Sequence, residues 1–200
     1  VARYWMKSRR GDDAMRAVEQ ALEDAEGVML RQALLLGATT EQRLRRRYKR
    51  AESLYTQWIA LAPSADKKRE ARLTVTRRIR GLTRMGRYRI QLLEVMCQEE
   101  PRQADTFYEL GEALLRLKPP ESLRARKAFE AYIALSDGRV ASTVRVGLQL
   151  IRYNAFTEAA NILTSVAPAD ISEPATHIKL VRLYLRGSVS NRRRAAQHVE

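Results

Sequence analysis

The chain has 200 residues, of which 45% are hydrophobic, with only 9 Gly, 6 Pro and a formal net charge of +14 at pH 7. This composition, without any sustained alternation of apolar and polar residues, predicts an all-helical chain and argues against a β-sheet. A single cysteine, Cys97, excludes an internal disulfide and argues against a metal site. No apolar stretch is long enough to cross a bilayer, and the first residues do not form a signal peptide pattern. The cytoplasm is the expected compartment, and a periplasmic or organellar location stays open.

The predicted helices of the first half begin with one at 1–10 and one at 12–25, separated by a turn at Gly11. Two aspartates follow this glycine, which suits a helix N-terminus because free amides and the helix dipole favour negative charge there. A helix follows at 27–37. Thr39-x-x-Gln42 is typical of a capping box and predicts a long helix that reaches Ala62. Its apolar stripe is Leu44, Tyr48, Ala51, Tyr55, Trp58 and Ala62.

Ser64 is the predicted N-cap of the next helix, which extends to Met85. Its inner face carries Ala71, Val75, Ile79 and Leu82. Shorter helices are predicted at 87–99, 102–117, 120–136, 139–153, 155–166, 173–186 and 190–200. Because none of the breaks between them is a long flexible linker, we expect one continuous helical array.

A short pattern recurs in the second half of the chain. It appears as Phe107-x-x-Leu110-Gly111-x-x-Leu114 and Thr143-x-x-Val146-Gly147-x-x-Leu150, and more weakly as His177-x-x-Leu180-Val181-x-x-Tyr184. Positions 111, 147 and 181 are 36 and 34 residues apart, a period that indicates stacked helical hairpins. Each copy is followed by a small residue and a large one four positions apart: Ala125 and Phe129, Ala159 and Leu163, Ala195 and Val199.

In these residues the sequence resembles the tetratricopeptide repeat (TPR) family, most clearly from 104 to 167 and more loosely over 28–200. The resemblance implies an all-α solenoid of stacked antiparallel helical hairpins that forms a right-handed superhelix. The sequence departs from the family pattern at its opening tryptophan, which is Phe107, Thr143 or His177 here, and at its glycine, which is Val181 in the last copy. A Lys118-Pro119-Pro120 insertion also lengthens one turn.

Three regions are expected along the chain. Residues 1–27 form an N-terminal helical hairpin that caps the array or continues missing sequence, and 28–100 form basic, degenerate TPR-like hairpins with long helices. Residues 101–200 form the clearer TPR-like repeats. Because the sequence begins with Val1, we expect it to be a fragment, a processed form or the ordered part of a longer protein.

Positive charge is concentrated in one segment. Residues 41–90 hold 16 Lys and Arg against 4 Asp and Glu, a net of +12. Arginine guanidinium groups bind phosphates and carboxylates in bidentate fashion, so such a segment attracts an anionic partner. Nucleic acid, an acidic protein segment and an anionic membrane surface are the three alternatives that the sequence leaves open. If the two long helices pack as an antiparallel hairpin, their basic rows merge into one strip; an ordinary solvated face is the alternative. The predicted strip is Arg43, Arg46, Arg47, Arg50, Arg77, Arg80, Arg84 and Arg87.

The resemblance also implies an inner groove lined by one face of each opening helix. A contiguous apolar surface tends to mark an interaction site, and we expect this groove to take an apolar or amphipathic helix. The alternative is that neighbouring hairpins close over these residues. The predicted lining is Tyr108, Glu112, Leu115, Val144, Leu148, Ile151, Ile178, Arg182 and Leu185.

Catalytic patterns do not emerge from the sequence. Gly81-x-x-x-x-Gly86 has the spacing of a phosphate loop but lacks its Lys-Ser/Thr and any preceding strand. His177 and His198 fall in different helices without a nearby cysteine, and Cys97 lies in an apolar run that favours a small core residue. We therefore predict no enzymatic activity, no cofactor and no metal.

The sequence thus predicts a non-enzymatic protein-interaction scaffold within a larger protein or assembly, with protein partners. The alternative is a helical-repeat module that binds nucleic acid, RNA or DNA, through the Arg-rich segment 41–90. Stacking of bases requires accessible aromatic rings. Tyr48, Tyr55 and Trp58 are assigned to the apolar stripe, which leaves Tyr88 and makes the scaffold the preferred interpretation.

Overall fold

The computed structural model describes residues 10–24, 26–171 and 174–185. Within these ranges the regular structure is ten α-helices, one π-helical turn and two 3-10 turns, with no strand. The chain divides into two compact units, Val1–Leu92 and Leu93–Glu200. The predicted all-α class is confirmed for these residues. The helices predicted at 1–10 and 190–200 lie outside the described ranges, and the division into three regions stays a prediction.

The first unit is a series of short helices that pack in chain order. Helices α1 and α2 pack together, as do α2 and α3, and α3 and α4. Their shared core includes Met15, Leu34, Tyr55, Val75 and Ile79. The elements are α1 (Gly11–Asp24), α2 (Gly27–Thr40), a π turn (Glu41–Arg45), α3 (Tyr48–Ala60), α4 (Ala65–Arg78), a 3-10 turn (Thr83–Met85) and α5 (Gly86–Glu99), which crosses into the second unit.

The predicted long helix from Thr39 to Ala62 is wrong. Helix α2 continues through Thr39 into the π turn, and the chain then breaks at Arg46 before α3 begins. Arg46 adopts a left-handed backbone with φ of 55°, and the amide of Arg47 donates to the Glu41 carbonyl at 2.9 Å. Thr39 is not an N-cap, because its hydroxyl donates to the carbonyl of Leu35 at 2.7 Å within α2.

Buried polar contacts explain this break. The Gln42 side chain accepts a hydrogen bond from the buried Tyr55 hydroxyl at 2.6 Å, and the Thr39 hydroxyl accepts one from Arg78 at 3.2 Å. Those contacts hold the π turn against α3 and α4. A continuous helix would also place like charges three and four residues apart among the arginines from Arg43 to Arg50, which destabilises a helix.

The next predicted helix, from Ser64 to Met85, begins as expected and ends early. The Ser64 hydroxyl accepts from the amide of Lys67 at 3.2 Å, which confirms the predicted cap. Helix α4 stops at Arg78, and a turn through Gly81 leads into the separate 3-10 turn at Thr83–Met85. Ala71, Val75 and Ile79 are buried as predicted, whereas Leu82 is half-buried.

The second unit contains two well-formed hairpins. Helix α6 packs on α7, α8 packs on α9, and α10 contacts α9. The helices predicted between 102 and 186 correspond to these elements, and their ends differ by at most a few residues. The elements are α6 (Ala104–Leu115), α7 (Ser122–Leu135), α8 (Arg139–Arg152), α9 (Phe156–Leu163), a 3-10 turn (Pro168–Asp170) and α10 (Pro174–Leu185).

The repeated glycines set how closely these hairpins pack. A Cβ added to Gly111 would lie 2.6 Å from the Phe129 ring, and one added to Gly147 would lie 2.5 Å from Leu163. The large residue of each closing helix therefore packs directly against the glycine of its opening helix. This is the hairpin packing that the TPR resemblance implies. The third copy places Leu180 and Tyr184 in the core, while its closing helix lies outside the described residues.

Candidate functional site

The eight arginines of the predicted basic strip all lie in the first unit, and all are exposed. Arg50 is engaged by carboxylates, because it pairs with Glu19 and its Nε lies 3.4 Å from Glu41 Oε1. No carboxylate within the described ranges lies within ion-pair distance of Arg43, Arg46, Arg47, Arg77, Arg84 or Arg87.

The local distribution of acidic residues explains why this charge is uncompensated. Residues 71–93 contain seven arginines and no Asp or Glu. Glu41 is fully buried, and its Oε1 lies 3.1 Å from Arg45 Nη1 as well as near Arg50. The carboxylate two residues before Arg43 therefore faces the core, where it contacts Arg45 and Arg50 and leaves Arg43, Arg46 and Arg47 uncompensated.

An open cleft lies where the broken helix meets the connection between α4 and α5. It has a volume of about 270 Å³ and is lined by Arg46, Tyr48, Gly81, Leu82, Thr83 and Arg84. The Arg84 guanidinium carbon lies 5.7 Å from the centroid of the Tyr48 ring, a cation–π distance. The structure thus brings Arg46 and Arg84, which are far apart in sequence, to one cleft.

The aromatic residues near the basic segment differ in accessibility from what the sequence predicts. Tyr48 packs against the core as the apolar stripe predicts, but it is only half-buried and also lines the cleft. Tyr88 is buried, and its hydroxyl lies 3.0 Å from that of Thr56, so it is not available for stacking. Tyr55 and Trp58 are buried as predicted, and burial raises the pKa of Tyr55.

The predicted groove of the second unit needs correction at two positions. Glu112 and Leu115 are buried, so they do not line an open groove. Tyr108 is half-buried against the rings of Phe129 and Tyr132, at centroid distances of 5.5 and 5.1 Å. The other positions keep some exposure: Val144, Leu148 and Ile151 are half-buried, and Ile178 and Arg182 are exposed. The side chain of Leu185 lies outside the described residues.

A ladder of polar contacts joins the two opening helices α6 and α8. The Arg145 guanidinium lies 4.1 Å from the Tyr108 ring centroid, Gln149 donates to Glu112 at 3.4 Å, and Arg116 donates to the Tyr153 hydroxyl at 2.9 Å. Each pair is 37 residues apart in sequence. The polar pairs explain why Glu112 is buried: Gln149 and the neighbouring Arg116, at 2.9 Å, satisfy its carboxylate.

Arg145 is held in place from two sides. Besides stacking on Tyr108, it donates to the Tyr132 hydroxyl at 3.1 Å. Burial acts to raise the pKa of Tyr132, but hydrogen bonds from Ser142 and Arg145 outweigh it and leave the pKa below its ordinary value. Helix α8 carries no acidic residue, and its three arginines, Arg139, Arg145 and Arg152, are all exposed. Within the described part of the chain, none of the three has a carboxylate at ion-pair distance.

One residue of this face was missed by the sequence reasoning. Val140 is 40% exposed and precedes Val144 by one turn of α8. Together with Leu148 and Ile151 it forms an apolar row at spacings of four, four and three, opposite the buried Val146 and Leu150. The repeat pattern starts at Thr143, whereas the helical periodicity of α8 by itself would have identified Val140.

Cys97 and clusters of possible metal ligands are the features relevant to catalysis. Cys97 is buried, as the apolar run predicts, and its pKa is raised to about 11 by burial and by the charge of Glu94. The thiol is therefore protonated at neutral pH and a poor nucleophile. In the ranges that the structure describes, no group of three His, Cys, Asp or Glu could hold a metal ion. Over the same ranges, no helix is long and apolar enough to span a membrane.

Comparison with known proteins adds little beyond the fold. No protein-family model matches the sequence. No curated protein matches it significantly. Three solved structures cover 82% of this chain: a MamA RS-1 ArsTM double mutant (15% identity, 86% of that chain, TM-score 0.47), MamA 41-end from Desulfovibrio magneticus RS-1 (16%, 88%, 0.43) and a crystal structure of MamA (18%, 91%, 0.44). With TM-scores below 0.5, these similarities support no inference about function.

Proposed function

We propose that this chain is a non-enzymatic protein-interaction scaffold, and that the exposed side of α8 binds an acidic amphipathic helix of a partner protein. One observation carries this proposal: the apolar row Val140, Val144, Leu148 and Ile151 lies beside the exposed Arg145 and Arg152 on a helix without a carboxylate. A partner helix with the same periodicity would place its apolar anchors on the row. Its acidic residues would pair with the arginines.

The fixed position of Arg145 favours such an interaction. Its stacking on Tyr108 and its hydrogen bond to Tyr132 reduce the side-chain freedom that binding would otherwise remove. Charge pairs at the edge of an interface contribute to partner choice and association rate more than to affinity. The apolar row is therefore expected to set the affinity, and the arginines are expected to select an acidic partner.

The test uses two designed amphipathic helices of about 15 residues or more, long enough to form a helix in water. Both carry the same leucine row, and one has glutamates where the other has lysines. We expect the acidic helix to bind at least tenfold more tightly, and Leu148→Ser with Ile151→Ser to weaken its binding by a further tenfold or more.

The matched control is Leu123→Ser with Val28→Ser, which changes two exposed apolar residues outside this face. We expect the control protein to bind like the unmodified chain. A large loss of stability in the Leu148 and Ile151 variant, with unchanged affinity in its folded fraction, would show that these residues are ordinary core.

A second candidate function is binding of a nucleic acid through the first unit. The observation that favours it is the set of six exposed arginines without carboxylate partners, together with the acid-free stretch 71–93. Titration with random-sequence RNA and DNA at two salt concentrations tests it, because phosphate binding weakens steeply with salt. Reversing Arg43, Arg47, Arg77 and Arg87 to Glu should abolish this binding.

A further inference from the structure

We infer that the cleft between the π turn and the α4–α5 connection binds single-stranded nucleic acid, with one base stacked on the Arg84–Tyr48 pair and flanking phosphates on Arg46 and its exposed neighbours. This inference rests on the second function proposed above and assigns it a site. Its basis is geometric: Arg46, Tyr48 and Arg84 line one open cleft, and all three residues belong to the first unit.

The positions of the two arginines follow from local backbone structure. The left-handed conformation of Arg46 ends the π turn and directs the chain away from the axis of α2. Arg84 lies in the 3-10 turn just before α5. Because both side chains project from bends and not from the middle of one helix, they can approach a ligand from two sides.

The stacked pair provides a planar surface. Arg84 is exposed and its guanidinium lies over the Tyr48 ring at 5.7 Å. Guanidinium planes and aromatic rings are the surfaces on which unpaired bases stack in proteins that bind single strands. The cleft volume of about 270 Å³ lies near the lower end of the range for small-molecule sites, about 300 Å³, which suits a single base.

The surrounding charge suits a polymer of phosphates. Arg43 and Arg47 precede and follow the cleft residue Arg46 in the chain, and Arg77 and Arg87 flank Arg84. All four are exposed and lack a carboxylate partner among the described residues. An acidic protein segment would use the same charges but has no need of the stacked surface, and a duplex would offer no unpaired base. The cleft therefore favours a single strand.

The experiment measures binding of a fluorescent single-stranded RNA of random sequence to the full chain by anisotropy at several salt concentrations. The first variant combines Arg46→Asn, which tolerates the left-handed backbone, with Arg84→Gln. We expect at least tenfold weaker binding and a salt slope smaller by about 0.7, since Arg46 is the phosphate contact that this variant removes and each such contact on a single strand contributes about 0.7. The control is Arg102→Gln with Arg139→Gln, two exposed arginines of the second unit, and it should change binding by less than about twofold.

A second variant separates stacking from charge. Tyr48→Leu keeps an apolar side chain and all the arginines, so we expect it to weaken RNA binding about tenfold while leaving the binding of inorganic polyphosphate unchanged. Circular dichroism melts check that each variant is folded, and a variant that unfolds is replaced by Tyr48→Met or Arg84→Lys.

Several results would overturn the inference. One is that the full chain does not bind RNA, and another is that the Arg46 and Arg84 variant binds RNA as tightly as the control variant does. A third is that Tyr48→Leu loses RNA binding and polyphosphate binding equally. A fourth is that the full chain binds duplex RNA of the same length as tightly as the single strand. If the cleft variants bind normally while reversal of Arg43, Arg47, Arg77 and Arg87 abolishes binding, the general nucleic-acid function stands and this site does not.

Discussion

The two units differ in how their polar and charged side chains are paired. In Val1–Leu92, six exposed arginines have no carboxylate partner among the described residues, and the nearby Glu41 is buried. In Leu93–Glu200, neighbouring opening helices are joined by Tyr108–Arg145, Glu112–Gln149 and Arg116–Tyr153. Polar contacts therefore help hold both units together, and the first unit in addition leaves six arginines available to a ligand. A functional surface is better sought where charge is left uncompensated.

The largest expected effect comes from removing the buried carboxylate of the first unit. Glu41→Gln weakens the charged contacts of its Oε1 with Arg45 and Arg50, which keep only their other partners, Asp12 and Glu19. At about 1.5 kcal/mol for each charged contact, we expect a loss of about 3 kcal/mol in the free energy of unfolding. Urea denaturation measures it. Glu23→Gln, which removes the same charge from an exposed position of α1, is the control and should have little effect. Equal stability of the two variants would mean that Glu41 does not hold the π turn.

A somewhat smaller effect is expected at the glycines of the second unit. Gly147→Ala places a methyl group 2.5 Å from the buried Leu163, and we expect a loss of about 2 kcal/mol after the gain in helix propensity is included. Gly81→Ala is the matched control, because nothing lies within 4 Å of its added Cβ. Thermal melts of both variants measure this loss of stability. A stabilised Gly147→Ala protein would show that α8 and α9 pack less closely than described.

A smaller effect still is predicted for the polar ladder. Arg116→Gln, Tyr153→Phe and the double variant form a mutant cycle, and we expect a coupling energy of about 1 kcal/mol for their 2.9 Å hydrogen bond. The same cycle on Arg43 and Arg77 of the first unit should give no favourable coupling. Coupling of similar size in both cycles would remove the difference between the two units.

The smallest change is expected in the stability of the arginine-reversed protein. Exposed charges without partners contribute little to folding, so replacing Arg43, Arg47, Arg77 and Arg87 by Glu should leave the melting temperature nearly unchanged. A fall of more than about 4 °C, roughly 1 kcal/mol at this chain length, would mean that these arginines have a structural role. Nucleic-acid binding should be lost in the same variant.

Much of the fold was predictable from the sequence alone. The helices of the second unit and the pairing of Gly111 with Phe129 and of Gly147 with Leu163 follow from short-range periodicity, because hairpin packing joins residues that are close in the chain. The cap at Ser64 and the buried position of Cys97 were likewise predictable from local pattern. So was the exposure of the strip arginines, since long charged side chains without a buried partner stay in water.

Only the tertiary structure decided where the basic segment breaks and which residues its break brings together. No Gly or Pro marks residues 41–47, and the apolar spacing from Leu44 to Ala62 suits a single helix. Burial of Glu41 and the hydrogen bonds of Gln42 with Tyr55 and of Thr39 with Arg78 decide the break instead. These partners are 13 and 39 residues apart, so local periodicity carries no information about them. The same reason applies to Tyr48 and Arg84, which become neighbours only because α3 begins after the break and α4 ends before Met85.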